Sequence, residues 1–400
     1  MPGLNAVQEN VDLTIVKVDQ EVEGFRISWS NDEHSFFHFI WLRDGCYCET
    51  CGDTYSSKRY VVPHQFDLDD YPGEWQISSD GALTIVWESD KHRSVYRAGW
   101  LFDNRYDDAA RERRFHLPIL WDCSINSGLP ESEFPIVQSS ETALLDLYQK
   151  LLDYGFVVIR NGPAEKGGVE QVARLIGEMN ESAYTQIFDL SPSSSVKTMG
   201  NTQQTVPPHT DEAFRYSPPG INILACIHPA ETGGDSVLVD GFSIAGQLRS
   251  EDMQAFDLLC QYEQSFHRIH SGALDQRARQ RMIALDDRDE IVGVRVHTRA
   301  AGPLCLPSDL IRPYYAAHQA FCQRMMNSDN QARFRLESGD SVLFDNHRVL
   351  HSRNHFSDPT RFLQICNVSR EEFHEQYRLL ATRLGLHEAA NRILPSGMTV

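Results

Sequence analysis

The sequence predicts a mainly β protein with flanking helices, and three observations support this fold class. Short segments alternate apolar and polar residues and are rich in aromatic and β-branched side chains, which is typical of strands. Helical periodicity occurs in only a few segments. The chain has neither a glycine-rich phosphate loop nor the regular alternation of strands and helices that builds parallel sheets. Many strands with occasional helices favour a sandwich or a barrel.

The chain is predicted to contain two domains. Residues 1–120 form a small β-rich domain, and residues 139–400 form a larger one. Residues 121–138 contain several Pro, Ser and Gly residues and are interpreted as a linker. The predicted strands include 25–29, 36–41, 83–88, 156–160, 341–345 and 361–368, and the predicted helices span 140–154, 242–259, 310–326 and 371–384.

The charge balance limits the choice of partner. The 400-residue chain has a formal net charge of −19 and a pI near 5.2. Nucleic-acid and anionic-membrane surfaces require basic patches, so the predicted partner is a small molecule. No apolar run approaches the roughly 18 residues of a membrane span, and the first residues lack the pattern of a signal peptide. We therefore expect a cytoplasmic protein that binds neither nucleic acid nor membrane.

Three of the nine cysteines, Cys46, Cys48 and Cys51, lie close together in the sequence. Disulfides between such near neighbours are strained and unstable in a reducing cytoplasm, whereas three thiolates on one turn favour zinc. A tetrahedral site needs a fourth ligand, and His92, at the end of a predicted hairpin strand, is the candidate. Four protein ligands leave no position for a substrate, so this zinc is predicted to be structural. Free surface cysteines are the alternative interpretation.

A second group of residues has the composition of an iron site. His209 and Asp211 are two residues apart near the end of a predicted strand, so both side chains project to the same side. With a distant histidine, His351, they form a ligand set of two histidines and one carboxylate, which leaves positions for a cosubstrate and oxygen. Glu212 is a less suitable carboxylate, because its spacing puts it on the opposite face.

An arginine supports the choice of His351. Arg361 lies ten residues after His351 at the start of a predicted strand, where its guanidinium can bind a distant carboxylate with two hydrogen bonds. Ser236, in a turn after two glycines, can share that carboxylate through its hydroxyl. His347 is the competing histidine, but no arginine is as well placed after it.

At this point the chain resembles the γ-butyrobetaine hydroxylase and trimethyllysine hydroxylase group of iron(II)- and 2-oxoglutarate-dependent dioxygenases. The resemblance covers nearly the whole chain. The matching segments are WLRDGCYCETC (41–51), HTD (209–211), TGGDSVLVDGF (232–242) and FDNHRVLHSR (344–353). It implies a double-stranded β-helix (jelly-roll) catalytic domain after a small zinc domain, usually in a homodimer. It also implies the iron and zinc ligands given above, with Arg361 on the distal carboxylate of 2-oxoglutarate.

The chemistry implied by this resemblance is hydroxylation of a small substrate. Iron(II), 2-oxoglutarate and O2 are the cofactor and cosubstrates, and 2-oxoglutarate is converted to succinate and CO2 as the substrate is oxidised. The protein supplies positioning and the exclusion of water.

The substrate pocket departs from the pattern of γ-butyrobetaine hydroxylases, which surround the quaternary ammonium with tyrosines. Tyr184 and Phe188 match two aromatic positions of that pocket. Asn201 and Asn367 occupy positions where a tyrosine is typical, and Glu212 follows the HTD motif. Because a quaternary ammonium cannot donate hydrogen bonds, it prefers aromatic faces, so these changes predict an altered pocket.

A basic segment suggests what the altered pocket binds. Strand alternation places Arg295, His297 and Arg299 on one face, in the region where the family contacts the substrate anion. Three cationic donors suit a phosphonate, unless the segment is simply a solvated basic face. The chain thus resembles the trimethylaminoethylphosphonate hydroxylases of this family, which hydroxylate the carbon next to phosphorus. The alternatives are a γ-butyrobetaine hydroxylase and a catalytically inactive zinc-stapled binding protein, and the complete iron ligand set disfavours the latter.

Overall fold

The computed structural model describes residues 13–53, 58–182, 185–192, 199–270 and 273–395. The chain divides into two compact units, the first formed by residues 1–116 with Ala381–Ile393 and the second by Leu117–Leu380 with 394–400.

These units differ from the predicted domains at two places. Residues 121–138, interpreted as a linker, belong to the second unit, because their backbone pairs with its sheet and Trp121 is buried in its core. Ala381–Ile393 belongs to the first unit instead of the second, since the Ile393 carbonyl accepts a hydrogen bond from the His116 amide. Both differences come from backbone pairing, which composition does not reveal.

The first unit consists of short antiparallel sheets around an aromatic core. Its core includes Phe25, Trp29, Phe37, Ile85 and Trp87, all almost fully buried. Its elements are β1 (Ile15–Gln20), β2 (Gly24–Trp29), β3 (His34–His38), α1 (Phe39–Asp44), β4 (Gly52–Asp53), β5 (Lys58–Arg59), β6 (Pro72–Ile77), β7 (Leu83–Trp87), β8 (Arg93–Tyr96), α2 (Ala98–Asp103) and α3 (Asp108–Arg114). The strand predicted over 36–41 ends at His38, because helix α1 begins at the next residue.

The second unit begins with a strand and two helices and continues mainly as strands. Its elements are β9 (Glu131–Glu133), α4 (Phe134–Ser139), α5 (Glu141–Tyr154), β10 (Phe156–Arg160), α6 (Val169–Ala173), β11 (Phe188–Leu190), β12 (Val206–His209), β13 (Ile221–His228), β14 (Ser236–Asp240), α7 (Gly241–Glu251), α8 (Met253–Gln261), β15 (Glu263–His270), β16 (Leu274–Arg281), β17 (Ile283–Leu285), β18 (Ile291–Val294), α9 (Ser308–Met326), β19 (Gln331–Phe334), β20 (Ser341–Asp345), β21 (Val349–Arg353), β22 (Phe362–Val368) and α10 (Arg370–Arg383). A last helix, α11 (His387–Ala390), lies in the part of the chain that joins the first unit.

Two sheets form the body of the second unit. The larger has the strand order β11-β22-β13-β20-β10-β9, and the smaller has the order β12-β21-β14-β19. Strands distant in sequence are neighbours in both sheets, and apolar side chains of both, such as Phe156, Leu238 and Phe344, form one buried core. This arrangement is a double-stranded β-helix, so the predicted jelly-roll fold is confirmed.

Helices α7, α8 and α9 pack together against part of the smaller sheet. The single helix predicted over 242–259 is two helices, because the Asp252 side chain accepts a hydrogen bond from the Ala255 amide and starts α8 there. Among the described residues, no helix has the length and apolar character needed to cross a bilayer.

Candidate active site

Three potential metal ligands converge on the smaller sheet of the second unit. His209 is the last residue of β12, and it lies directly opposite His351 of β21 in the antiparallel register. Asp211 follows in the turn after β12, with Oδ1 3.4 Å from His209 Nε2 and Oδ2 3.7 Å from His351 Nε2. One donor atom from each residue lies within 4.8 Å of the other two. Pairing of β12 with β21 therefore brings together ligands more than a hundred residues apart.

The surroundings favour the forms of these side chains that bind metal. The His209 Nδ1 lies 3.0 Å from the Pro207 carbonyl, so this nitrogen carries the proton and Nε2 is left as a donor to metal. Burial would raise the pKa of the Asp211 carboxyl, but the neighbouring imidazole of His351 and the hydrogen-bonded imidazole of His209 hold it well below its usual range. Burial lowers the pKa of His351 to about 4. Two imidazole nitrogens and one carboxylate fit ferrous iron.

The competing ligand His347 lies elsewhere. Its side chain is buried beside Arg370, and burial, with the Arg370 charge, lowers its pKa to about 3. It is not part of the group formed by His209, Asp211 and His351.

A cavity of about 200 Å³ opens beside the three ligands. Its wall combines apolar side chains with several charged ones. The described charged or ionisable residues that line it are His209, Asp211, Glu212, Arg268, His297, Arg299, His351, Arg353, Arg361 and Cys366. Pockets of this kind, mostly apolar with a few convergent polar groups, are typical of small-molecule sites.

Arg361 and Ser236, which their motifs predict to bind 2-oxoglutarate, both line this cavity. Arg361 is buried, and its guanidinium lies over the Phe356 ring at 4.9 Å from the centroid. Burial lowers the pKa of Arg361 to about 10, so the side chain keeps its positive charge at neutral pH. A buried cation with Ser236 on the same wall fits the distal carboxylate of 2-oxoglutarate.

The segment from Arg295 to Arg299, predicted to be a strand with a basic face, has a different conformation in the structure. Strand β18 ends at Val294, and Thr298–Ala300 forms a turn of 3₁₀ helix, so strand alternation does not continue through this segment. Arg295 is turned away from the cavity: its guanidinium donates to the backbone carbonyls of Arg215 at 3.1 Å, and of Ala213 and Tyr216 at 3.5 Å. The prediction that Arg295 contacts the substrate is therefore corrected to a structural role.

The other two residues of that segment line the cavity. The His297 ring lies 4.9 Å from that of His209, and its Nδ1 is 2.9 Å from the Thr210 carbonyl. Burial, with the neighbouring His209 and the charge of Arg299, lowers the pKa of His297 to about 3, so this ring is neutral. Arg299 supplies a positive charge to the wall.

The predicted substrate residues fall into three groups. Phe188, Glu212 and Asn367 line the cavity. Glu212 reaches it although its spacing from Asp211 predicted the opposite face, because its backbone has a left-handed φ of 50°. Asn201 is buried and does not line the cavity, since its Oδ1 accepts a hydrogen bond from the Ser191 amide. Tyr184 lies outside the described residues.

Sequence reasoning missed several lining residues. Arg268 lies on β15, with its guanidinium 5.8 Å from the centroid of the Phe214 ring. Asn222 of β13 donates to Asp211 Oδ2 at 3.0 Å. Arg353 is held by the carbonyls of Gly200, Thr202 and Gln204, so it shapes the cavity wall. The alternation of apolar and polar residues around Arg268 indicates a strand. No feature of the sequence, however, places that strand beside the metal ligands.

The cysteine group in the first unit is also assembled. His92 Nε2 lies 3.4 Å from the Sγ atoms of Cys46 and Cys51 and 3.6 Å from that of Cys48. Three sulfurs and one nitrogen around a common centre fit a structural zinc site. Burial raises the pKa of the Cys46 thiol to about 12, so this thiol needs a nearby cation in order to ionise.

Arg43 ties this group to its surroundings. Its guanidinium donates to Cys51 Sγ at 3.6 Å and to Asp90 Oδ2 at 2.8 Å, and Asp90 in turn accepts from the His92 amide. The arginine of the WLRDG segment therefore connects two of the four ligands.

Comparison with known proteins identifies the family. Residues 16–102 match the family described as "Gamma-butyrobetaine hydroxylase-like, N-terminal", and residues 126–367 match "Taurine catabolism dioxygenase TauD, TfdA family". The chain is 32% identical over 358 residues to a γ-butyrobetaine dioxygenase of Pseudomonas sp. (strain AK-1), covering 87% of this chain and 91% of that protein. The chain belongs to the γ-butyrobetaine hydroxylase-like family of iron(II)- and 2-oxoglutarate-dependent dioxygenases.

Other members of this family match over similar lengths. A γ-butyrobetaine dioxygenase of Homo sapiens is 25% identical over 368 residues, covering 90% of this chain and 95% of that protein. A mitochondrial trimethyllysine dioxygenase of Rattus norvegicus is 26% identical over 361 residues, covering 88% and 83%. The predicted family is thus confirmed, whereas the names of these relatives fit the γ-butyrobetaine alternative better than the phosphonate prediction.

Among solved structures, an asparagine oxygenase with Fe(II), hydroxyasparagine and succinate matches with a TM-score of 0.47 and 16% identity, covering 68% of this chain and 88% of that one. A putative taurine dioxygenase from Burkholderia xenovorans matches with a TM-score of 0.46 and 14% identity, covering 57% of this chain and 83% of that one.

Membership of the γ-butyrobetaine hydroxylase-like family gives the chemistry of the two groups of ligands. The protein is a dioxygenase that uses iron(II) and 2-oxoglutarate, and its donor sets fit iron in the second unit and a structural zinc in the first. Its substrate is a small molecule.

Proposed function

We propose that this dioxygenase hydroxylates a small zwitterion that carries a trimethylammonium group, with γ-butyrobetaine as the first candidate. In this proposal His209, Asp211 and His351 bind iron, and Arg361 with Ser236 holds the distal carboxylate of 2-oxoglutarate. Bound iron, with 2-oxoglutarate and O2, supplies the oxidising power to hydroxylate an unactivated carbon. The residues of the chain bind both organic molecules, orient them and exclude water.

The charged residues that line the cavity are the main support for this proposal. Among the described lining residues, four arginines accompany two carboxylates: Arg268, Arg299, Arg353 and Arg361 with Asp211 and Glu212. We assign Arg361 to 2-oxoglutarate, whereas Arg353 is occupied by backbone carbonyls. Arg268 and Arg299 then supply positive charge for an anionic group at one end of the substrate.

The cationic end of the substrate has suitable surroundings in the same cavity. Phe188 and Phe214 offer aromatic faces, which attract a quaternary ammonium through their electron-rich surface. Glu212 adds a buried carboxylate whose charge is shared with Arg215 at 2.8 Å. A zwitterion with separated charges therefore matches the two kinds of lining.

The relatives favour γ-butyrobetaine as that zwitterion. The match at 32% identity spans 87% of this chain and carries the name γ-butyrobetaine dioxygenase. The carboxylate of γ-butyrobetaine is an anion that one or two arginines bind well.

A second candidate, 2-trimethylaminoethylphosphonate, is favoured by one specific observation. Two arginines, Arg268 and Arg299, line the cavity in addition to the one assigned to 2-oxoglutarate, and a phosphonate carries more charge and one more oxygen than a carboxylate. Asn367, where the family pattern has a tyrosine, and Glu212, which follows the HTD motif, also line the cavity. In this case the carbon next to phosphorus is the one hydroxylated.

The test is coupled turnover of each candidate by the zinc-loaded protein with Fe(II), 2-oxoglutarate and air. Succinate is measured by chromatography, and the organic product is examined by mass spectrometry for one added oxygen. Coupled hydroxylation of γ-butyrobetaine supports the first candidate, and coupled hydroxylation of the phosphonate alone replaces it with the second. Succinate formation that neither compound stimulates overturns both substrates.

A further inference from the structure

Two buried asparagines form hydrogen bonds with Asp211. Asn222 belongs to β13 of the larger sheet, and Asn346 directly follows β20 of the same sheet. Their exposed fractions are 1% and 2%. A buried amide must be hydrogen-bonded, so the partners of these side chains define their orientation.

The orientation of Asn346 is fixed by the backbone. Its Oδ1 accepts from the Asp211 amide at 2.7 Å, and its Nδ2 donates to the carbonyls of Asp211 at 3.2 Å and Pro219 at 3.1 Å. A backbone N–H can only donate and a carbonyl can only accept, so the reverse orientation of this amide would lose all three bonds. Asn346 therefore holds the Asp211 peptide unit at both its N–H and its C=O.

Asn346 in turn sets the orientation of Asn222. The Nδ2 of Asn222 lies 3.5 Å from Asn346 Oδ1 and 3.0 Å from Asp211 Oδ2. Both neighbours are acceptors, so the NH2 end of Asn222 must face them. One Asp211 oxygen, Oδ2, is thereby hydrogen-bonded, while Oδ1 lies nearer His209.

We propose that Asn222 is a positioning residue that fixes the rotation of the Asp211 carboxylate for iron binding, and that Asn346 fixes Asn222. This inference rests on the proposed iron-binding role of Asp211. A metal-binding carboxylate whose second oxygen is hydrogen-bonded has a defined orientation and occupies less of the coordination sphere, which leaves room for 2-oxoglutarate and O2.

The test is the anaerobic binding of Fe(II), and of Fe(II) with 2-oxoglutarate, to the zinc-loaded protein without substrate. Asn222→Leu keeps the volume and removes the donor. Asn222→Ala also removes the donor but leaves space for a water. Asn330→Leu is the matched control, since Asn330 is another buried, hydrogen-bonded asparagine of the second unit that does not contact Asp211.

We expect Asn222→Leu to weaken Fe(II) affinity by about 10- to 100-fold, as removal of a metal ligand's hydrogen-bonding partner typically does. The charge-transfer absorption band of the Fe(II)–2-oxoglutarate complex should shift, because the Asp211 carboxylate is free to rotate. Asn222→Ala should lose less affinity, and Asn330→Leu should keep the affinity and band of the unmodified protein.

A folded Asn222→Leu variant with unchanged affinity and band overturns the proposal. If this variant does not fold, as judged by zinc content and unfolding temperature, unchanged binding in Asn222→Ala overturns it instead. These measurements use no substrate, so an error in the proposed substrate does not affect them. Failure of the unmodified protein to bind Fe(II) would instead refute the proposed iron site, and the role of Asn222 with it.

Discussion

Asp211 has contacts with every part of the candidate iron site. Both histidine ligands lie within 4 Å of its carboxylate, and Asn222 donates to it from the opposite sheet. The Asp211 side chain therefore connects the two sheets at the proposed iron site. This makes Asp211 the most informative residue to change.

Replacement of Asp211 with alanine should abolish iron binding and lower turnover by at least about 100-fold. Loss of a metal ligand lowers iron affinity more than loss of a residue that hydrogen-bonds to a ligand. Iron and zinc content are measured by atomic emission, and turnover by succinate formation. Zinc content should stay at one per chain. Retained turnover in a variant without iron would refute the assignment of Asp211 as a ligand.

Arg268 and Arg299 are expected to act on the substrate. Changing either to methionine keeps much of the side-chain volume and removes a charged hydrogen bond worth about 1.5–3 kcal/mol, so KM for the substrate should rise roughly 10- to 100-fold. KM for 2-oxoglutarate should change far less. Steady-state kinetics with each organic molecule varied separately provides the measurement.

Arg277→Gln is the matched control for these two variants, since Arg277 is an exposed arginine on the strand that pairs with β15. It should leave both KM values unchanged. A rise in KM for 2-oxoglutarate without a rise in KM for the substrate, in Arg268→Met or Arg299→Met, would indicate that the arginine binds 2-oxoglutarate instead of substrate.

His347 should make the fold sensitive to acid. Its pKa is about 3 in the folded protein, below the value near 6.5 of an unfolded histidine, so the unfolded chain binds the proton more readily. Stability is therefore lost as pH falls below about 6.5. Without His347, the slope of unfolding free energy against pH between 6 and 4 should fall by up to about 1.4 kcal/mol per pH unit.

Urea unfolding of His347→Gln at several pH values measures this slope. His355→Gln, an exposed histidine of the same unit, is the control and should keep the slope of the unmodified protein. An unchanged slope in His347→Gln would mean that His347 is not the source of the acid sensitivity.

At the scale of elements, the segment after β18 shows where sequence reasoning stops. Alternation predicted that Arg295, His297 and Arg299 share one face of a strand. The chain leaves the strand because the Arg295 guanidinium binds three carbonyls of the loop that follows Asp211, a tertiary contact that local pattern does not encode.

The motif residues were predictable because they lie close in sequence or recur in family order. Asn222 and Arg268 belong to no motif and reach the site only through sheet pairing.

This contact changes what substitution of Arg295 should do. Arg295→Met leaves buried carbonyls of the loop unpaired, so the free energy of unfolding should fall by about 2 kcal/mol or more. KM for the substrate should change little in the folded fraction. Urea unfolding and steady-state kinetics are compared with Arg281→Met, an exposed arginine on β16. A large rise in KM without loss of stability would return Arg295 to the substrate site.

At the scale of the whole molecule, the two units are stabilised in different ways. The second has two sheets around an extended apolar core, whereas the first has short sheets and a Cys46, Cys48, Cys51 and His92 cluster. Small domains with limited cores commonly gain stability from a structural metal.

The homodimer implied by the family resemblance stays a prediction.

Removal of zinc should therefore affect the first unit selectively, and tryptophan fluorescence can report it. Five of the six tryptophans, Trp29, Trp41, Trp75, Trp87 and Trp100, belong to the first unit, and only Trp121 belongs to the second. We expect chelation of zinc, or Cys51→Ser, to shift the emission to longer wavelength as the buried rings of Trp29 and Trp87 become hydrated, because zinc binding and folding are coupled in such sites. Cys305→Ser, an exposed cysteine of the second unit, is the control and should leave the emission unchanged. Loss of zinc with unchanged emission and unfolding temperature would show that the first unit folds without its metal.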